Sequence, residues 1–360
     1  MHPTFCSWPF GKLGTTCLCL LGHWTTLDHT SKTSMTSSDH VGATSLLVGC
    51  TSADGLVSEV FAPGTKEKRI SLPLNPAPVL RDWPSSTVDE VAEQWQLSER
   101  ESKDFRLLVE RLYDIKHPIC TPEVIIRFLK AHPGHVDASE RMFRKMITWR
   151  REQEVDTILN DYEPPQLLRD SIPGAILEGR DLDGDPIYLG RLGKTDAYGL
   201  IETFGGDELI KHGIWLREMI AHGTWLQTYE QETGRRLRQL TIIDELEGLT
   251  MRQLHRCVLS CYGAIFRLDQ DNYPEVAKRI IILRTPSLFR ALWNLSKHFF
   301  DPSVRGKMIF CSPSQTERVL ERFVDLKVLP PCIVACGQGR AAEGMPSGFQ
   351  GGVVPLPRKG

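Results

Sequence analysis

The chain has 360 residues, 41% hydrophobic and 24% charged, with a formal net charge of −2. That is enough for about two domains with a sizeable core, and the balance gives no bulk drive toward nucleic acid or an anionic membrane. Ten cysteines are too sparse for a disulfide scaffold and fit a reducing compartment, and no run of 18 apolar residues predicts a membrane-spanning helix.

Residues 1–82 are rich in Thr, Ser, Gly and Pro without sustained periodicity, which predicts a partly disordered tail. Within it, Leu13–Gly22 after Lys12 has the length of a signal-peptide core. Threonines and glycines dilute that segment, and aromatic rather than basic residues precede it. From residue 83 to 163 the pattern becomes helical. Ser98 with Glu101 forms a capping box ahead of Phe105, Leu108, Val109 and Leu112 on one face. Thr121-Pro122 opens a second helix, and Asp137 with Glu140 is read as the cap of a third carrying Met142, Phe143, Met146 and Ile147.

After Pro164-Pro165, strands and helices alternate over 164–337, followed by a tail at 338–360. The apolar runs Ile242–Ile243 and Ile280–Leu283 have the length of strands buried on both faces. Between them Met251, Leu254, Cys257, Val258, Cys261, Tyr262 and Ile265 recur at helical spacing. Strand, helix, strand predicts a crossover in a mostly parallel sheet, hence an α/β fold beside a small N-terminal helical bundle. Ser314 with Glu317 is read as the cap of the last helix.

Several motifs mislead. Gly190-Arg-Leu-Gly-Lys-Thr195 holds a Gly-Lys-Thr, but Tyr188 stands where a phosphate-cradling loop needs its first glycine, so the segment is read as a strand end. Ile333–Ala342 imitates a dinucleotide fingerprint, yet only 18 residues follow, too few for the crossover unit it requires. Asp181-Leu-Asp-Gly-Asp185 lacks the spacing of a calcium loop and is read as a tight turn. Cys332 and Cys336 have no second pair to complete a zinc site. Asp244, Glu245 and Glu247 have no nucleophile or base beside them in sequence and are read as solvated loop charge. No catalytic residue, metal or cofactor is assigned.

Leu288–Phe300 is unusual. Leu288, Leu292, Leu295 and Phe299 form one apolar stripe and Phe289, Trp293 and Phe300 an adjacent one, a surface wider than a packed helix needs; taken alone, this reads as a core helix. Together with Ile125–Ala131, Ala138–Arg150, Asp181–Tyr188, Thr241–Leu249 and Asn272-Tyr-Pro-Glu275, it resembles the CRAL-TRIO lipid-binding domain over roughly Ser98 to Val354. Val155–Leu159, Pro164–Leu168 and Gly351–Pro355 look most like the animal subgroup that adds PRELI and GOLD domains, neither of which is evident in these 360 residues.

The resemblance implies a lipid in a hydrophobic pocket, Leu288–Phe300 as a gate that opens onto a bilayer, and a peripheral cytoplasmic protein with Golgi or endosomal membranes as destinations. The gate's membrane contacts would be Phe289, Leu292, Trp293, Leu295, Phe299 and Phe300, with Arg290 and Lys297 at headgroup level. In phosphatidylinositol-binding members a glutamate accepts inositol hydroxyls and a lysine pairs with the phosphate; these match Glu275 and Lys307. An arginine and a threonine of that site are replaced by His132 and Val304, and Arg305 is a candidate substitute cation. For choline lipids the matching residues are Tyr188, through cation–π contact, and Thr241. The bland alternatives stay open: Glu275 as a helix cap after Pro274, and Lys307 as a strand flank. A phosphatidylinositol or phosphatidylcholine carrier is the leading expectation. A lipid-sensing adaptor with protein partners, or a carrier of a tocopherol, retinoid or squalene-like ligand, is the alternative.

Overall fold

A computed structural model describes residues 85–222, 224–286, 289, 293–294 and 297–334. The tail at 1–82, its signal-like segment, the tail at 338–360 and Cys336 lie outside the described residues, as do Leu288, Arg290, Leu292 and Leu295 of the expected gate.

Five helices open the described chain: α1 (Ser85–Gln94), α2 (Glu99–Arg111), α3 (Pro122–Ala131), α4 (Val136–Glu152) and the single turn α5 (Ile158–Asp161). The first four enclose a core around Phe105, Leu108, Ile125, Phe128 and Phe143, with the rings of Phe128 and Phe143 edge to face at 5.0 Å. The Ser98–Glu101 capping box forms as the spacing predicts, and Pro122 holds the first turn of α3 without a side-chain cap from Thr121. Asp137 is not a cap. Helix α4 starts two residues earlier, after His135, and Asp137 with Glu140 instead pairs with Arg111 of α2.

A five-stranded sheet follows, in chain order β1 (Gly174–Arg180), β2 (Pro186–Gly190), β3 (Leu240–Glu245), β4 (Ala277–Leu283) and β5 (Met308–Phe310). β1 and β2 form an antiparallel hairpin, and β2 through β5 pair in parallel. The mixed α/β fold with a mostly parallel sheet is therefore as the sequence implies. The hairpin turn is the Asp181–Asp185 segment. Gly184 takes the left-handed φ of +84° that the turn requires, and the Asp181 carboxylate accepts from the amides of Asp183 and Asp185. Lys278 and Arg279 of β4 neutralise this acidic turn, Lys278 to Asp183 at 2.8 Å and Arg279 to Asp183 at 2.6 Å.

Further helices flank the sheet: α6 (Gln166–Ser171), α7 (Ala197–Phe204), α8 (Gly206–His222), α9 (Thr224–Thr233), α10 (Arg256–Asn272), α11 (Pro302–Gly306), α12 (Thr316–Leu320) and α13 (Pro331–Val334). The capping pair before α12 is Ser312 with Gln315 rather than Ser314 with Glu317, so the chain turns two residues earlier. The apolar run at Ile333 is helical, which removes the strand a dinucleotide fingerprint needs.

The expectation of strands buried against protein on both faces is corrected. Ile243, Ile281 and Leu283 have no exposed surface and pack with Ile187, Leu320 and Ile333. Their alternate neighbours Ile242, Ile280 and Ile282 line a cavity on the other face. Both environments select isoleucine, so the two faces read alike in sequence.

Candidate functional site

The cavity has a volume of about 760 Å³ and lies between this face of the sheet and helices α8 and α10. Leu209, Gly213 and Leu216 of α8 and Leu259, Tyr262 and Phe266 of α10 line it opposite Ile242, Ile280 and Ile282. Its size is that of a ligand pocket rather than a packing defect. Helices α3 and α4 contribute Arg127, Phe128, Met146 and Arg150, so the site draws on the N-terminal helices as well as the sheet.

One end carries charge. Glu275 follows α10 and precedes β4, in the left-handed region with φ of +59°. No helix starts there, which removes the reading of Glu275 as a cap. Lys307 Nζ donates to both Glu275 carboxylate oxygens at 2.7 Å. Arg127 Nη1 donates to the Glu275 carbonyl at 3.1 Å, and Gln239 Nε2 reaches both that carbonyl and the carboxylate. Burial lowers the pKa of Arg127 to about 10, against the pull of Glu275 and Glu123, so it remains a cation at neutral pH. At the cavity wall Lys307 thus meets the Glu275 carboxylate and Arg127 meets the backbone carbonyl of the same residue.

Tyr188 lines the cavity, and burial holds its phenol well above the usual range. Thr241 does not line it. Leu240, Ile242 and Asp244 point to the cavity, and period-two alternation turns Thr241 the other way, where its hydroxyl donates to Asp181 at 2.6 Å. His132 ends α3 and Arg305 is exposed on α11; neither lines the cavity. Arg127, on the same helix as His132, was not singled out in the sequence. Its signal was a lone cation inside Val-Ile-Ile-Arg-Phe-Leu, where a buried charge needs partners.

The acidic group at the end of β3 is corrected as well. Glu245 is fully buried and held by Arg191 at 3.3 Å and Arg284 at 3.7 Å, while Arg284 also meets Glu247 at 2.8 Å. Asp244 faces the cavity, and burial raises its pKa to about 7.

Phe289, Trp293 and Phe300 line the cavity too. The Trp293 ring lies tilted at 4.8 Å from Phe310 and 5.6 Å from Phe300, and Phe300 lies 4.4 Å from Phe266. This aromatic cluster contacts both β5 and α10. The side chain of Phe299, like Leu292 and Leu295, is outside the described residues.

Residues 174–332 match the CRAL/TRIO domain family. This part of the chain is a CRAL/TRIO domain. Curated relatives are proteins named real-time: 30% identical over 221 residues in Anopheles gambiae, and 27% over 275 residues in Aedes aegypti and 249 in Drosophila melanogaster. These alignments cover 60%, 74% and 67% of this chain but 31%, 42% and 37% of the relatives, so the chain spans well under half of their length. The crystal structure of Sfh5 superposes with a TM-score of 0.47 at 14% identity, covering 65% of this chain and 84% of that one. The CRAL/TRIO match and the apolar cavity support binding of a lipid or other hydrophobic ligand. Among the described residues no helix is long and apolar enough to cross a membrane, and no cluster of side chains could hold a metal.

Proposed function

We propose that this protein carries a glycerophospholipid, its acyl chains in the cavity and its phosphate at Lys307 and Arg127, and exchanges it with a membrane surface. The observation that carries the reading is one apolar cavity with the cations Lys307 and Arg127 together at one end. Acyl chains favour the isoleucine and phenylalanine walls at roughly 25 cal/mol per Å² of area buried. A phosphate arriving at Lys307 replaces the Glu275 carboxylate as its partner and frees Glu275 to accept from headgroup hydroxyls, which favours an inositol lipid over a choline lipid. Tyr188 remains the one expected choline-lipid residue on the cavity wall.

Phe289, Trp293 and Phe300 are the membrane-facing part of the reading, since rings that close the cavity also suit a bilayer when displaced. The five described cysteines are all free, in keeping with a reducing cytoplasmic setting and peripheral membrane contact. Native mass spectrometry of the purified full chain tests the proposal. About one phospholipid per chain is expected. Absence of any lipid, together with no uptake from labelled vesicles, sinks it.

A further inference from the structure

The end of the cavity away from Lys307 is polar in a different way. Asp244 sits four residues beyond Leu240 on β3, and Leu240 is in register with Ala277 just after Glu275. At about 3.3 Å per residue, Asp244 lies some ~13 Å along the strand from the charged end. Its carboxyl lines the cavity, and no donor or cation among the described residues reaches it. Arg191 and Arg284, the nearby arginines, are taken by Glu245, Glu247 and the backbone carbonyls of Cys332 and Ile333.

Room has been left around this carboxyl. Gly190 of β2 is its register partner, and a Cβ added there would stand 2.8 Å from Asp244 Oδ1. Tyr188 and Tyr262, which feel the Asp244 charge, line the same cavity. So do Thr195 and His212, each with a buried polar atom that has no partner, Oγ1 and Nδ1. Buried polar groups in folded proteins are almost always hydrogen-bonded, so unpaired ones facing a cavity point to something that enters it.

We infer that Asp244 is the anchor for a hydroxyl group at the buried end of an apolar ligand, which adds hydrophobic alcohols to the glycerophospholipid as a second class of occupant. The inference rests on the cavity being a ligand site, but not on which lipid's phosphate meets Lys307. A neutral group suits this end for a reason of charge. Among the described residues no cation compensates Asp244, burial raises its pKa to about 7, and burial with the charges of Arg169 and Arg217 lowers that of His212 to about 4. Near neutral pH His212 is uncharged and Asp244 is readily protonated. A hydroxyl, which both donates and accepts, pairs with a carboxyl in either protonation state without placing a net charge in a dry site. An acyl chain alone would leave the carboxyl unpaired.

The test compares 1-hexadecanol with hexadecyl methyl ether, each radiolabelled and offered to the full chain from phosphatidylcholine vesicles. Wild type is expected to take up the alcohol at least tenfold better than the ether. Asp244→Leu should bring the ratio to within twofold while binding the ether as well as wild type does, and Asp244→Asn, close in shape and able to donate and accept, should keep part of the preference. Thermal melts of each variant confirm that the folded protein is being compared. Equal uptake of both probes by wild type, or an unchanged preference in Asp244→Leu, overturns the role of Asp244 and leaves the cavity a lipid site. Uptake of neither probe overturns the cavity reading and the Asp244 inference together. Tighter binding of hexadecylamine than of hexadecanol also overturns the inference, by showing that the carboxylate seeks a cation.

Discussion

Lys307 and Glu275, 32 residues apart, meet with both carboxylate oxygens 2.7 Å from the ammonium, at the wall of the cavity. On the reading proposed above, a phosphate would take the place of the Glu275 carboxylate in this pair. If Lys307 and Glu275 take the phosphate and hydroxyls of an inositol lipid while a choline lipid is held at Tyr188 instead, Lys307→Ala should slow transfer of phosphatidylinositol between vesicles and spare phosphatidylcholine, because an unpaired phosphate costs about 2 kcal/mol, roughly thirtyfold. Equal loss of both lipids marks general destabilisation, and no loss of either removes Lys307 from the site.

A second prediction concerns the join between α4 and α8. Arg150 and Glu218, 3% and 1% exposed, form a two-pronged pair at 2.9 and 3.0 Å, and the Tyr273 hydroxyl donates to the same carboxylate. Removing Glu218 leaves Arg150 with the partly exposed Asp156 at 2.6 Å and should cost up to about 3 kcal/mol, the low end for breaking a buried pair. Glu218→Leu alone should lower the denaturation midpoint accordingly, and Arg150→Met with Glu218→Leu should recover much of the loss. A double variant as unstable as the worse single one rejects this account.

The aromatic cluster can be tested for its two roles at once. Burying one such ring is worth roughly 1.5–3 kcal/mol, so Phe289→Ala with Trp293→Ala should weaken vesicle binding several-fold or more. A near-native melting curve beside lost vesicle binding supports a membrane-facing role. A collapsed melting temperature with unchanged vesicle affinity of the folded fraction assigns the rings to the core.

Asp244 should leave a signature in stability against pH. Its folded-state pKa of about 7 stands above the ordinary 3.8, so the folded chain holds a proton that the unfolded chain releases. The group's stabilising contribution is complete below about pH 4, is lost as pH rises, and levels off above about pH 7. The loss amounts to a few kcal/mol at about 1.36 kcal/mol per pH unit. Asp244→Asn should flatten the stability profile across that interval, read from denaturant melts at pH 4.5 and 7.5. A wild-type profile as flat as that of the variant contradicts the burial of this carboxyl.

Much of the scaffold was legible because its signals are local. The Ser98–Glu101 box, Pro122 and the Asp181–Asp185 turn act within a few residues, and each forms where the spacing puts it. The errors arose where distant partners decide. Asp137 looks like a cap until Arg111 claims it, and Glu245 looks solvated until Arg191, 54 residues earlier, covers it. Thr241 fails for a subtler reason. Alternation along β3 fixes which residues share its face, but only the fold says which face meets the cavity. Glu275 and Lys307 came from the family resemblance, whereas Arg127 required knowing that α3 reaches the cavity.

Ile280 and Ile282 turn toward the cavity while Ile281 and Leu283 are closed in by protein. Whatever occupies that space therefore completes the interior, as a removable part of the hydrophobic core. Occupant and fold share one free energy: a ligand at a hundred times its dissociation constant adds about 2.7 kcal/mol to stability. Chains that lose their cargo are then the ones that open most often and meet quality control first. If the cavity is filled as proposed, the amount of this protein in a cell should track the supply of its ligand.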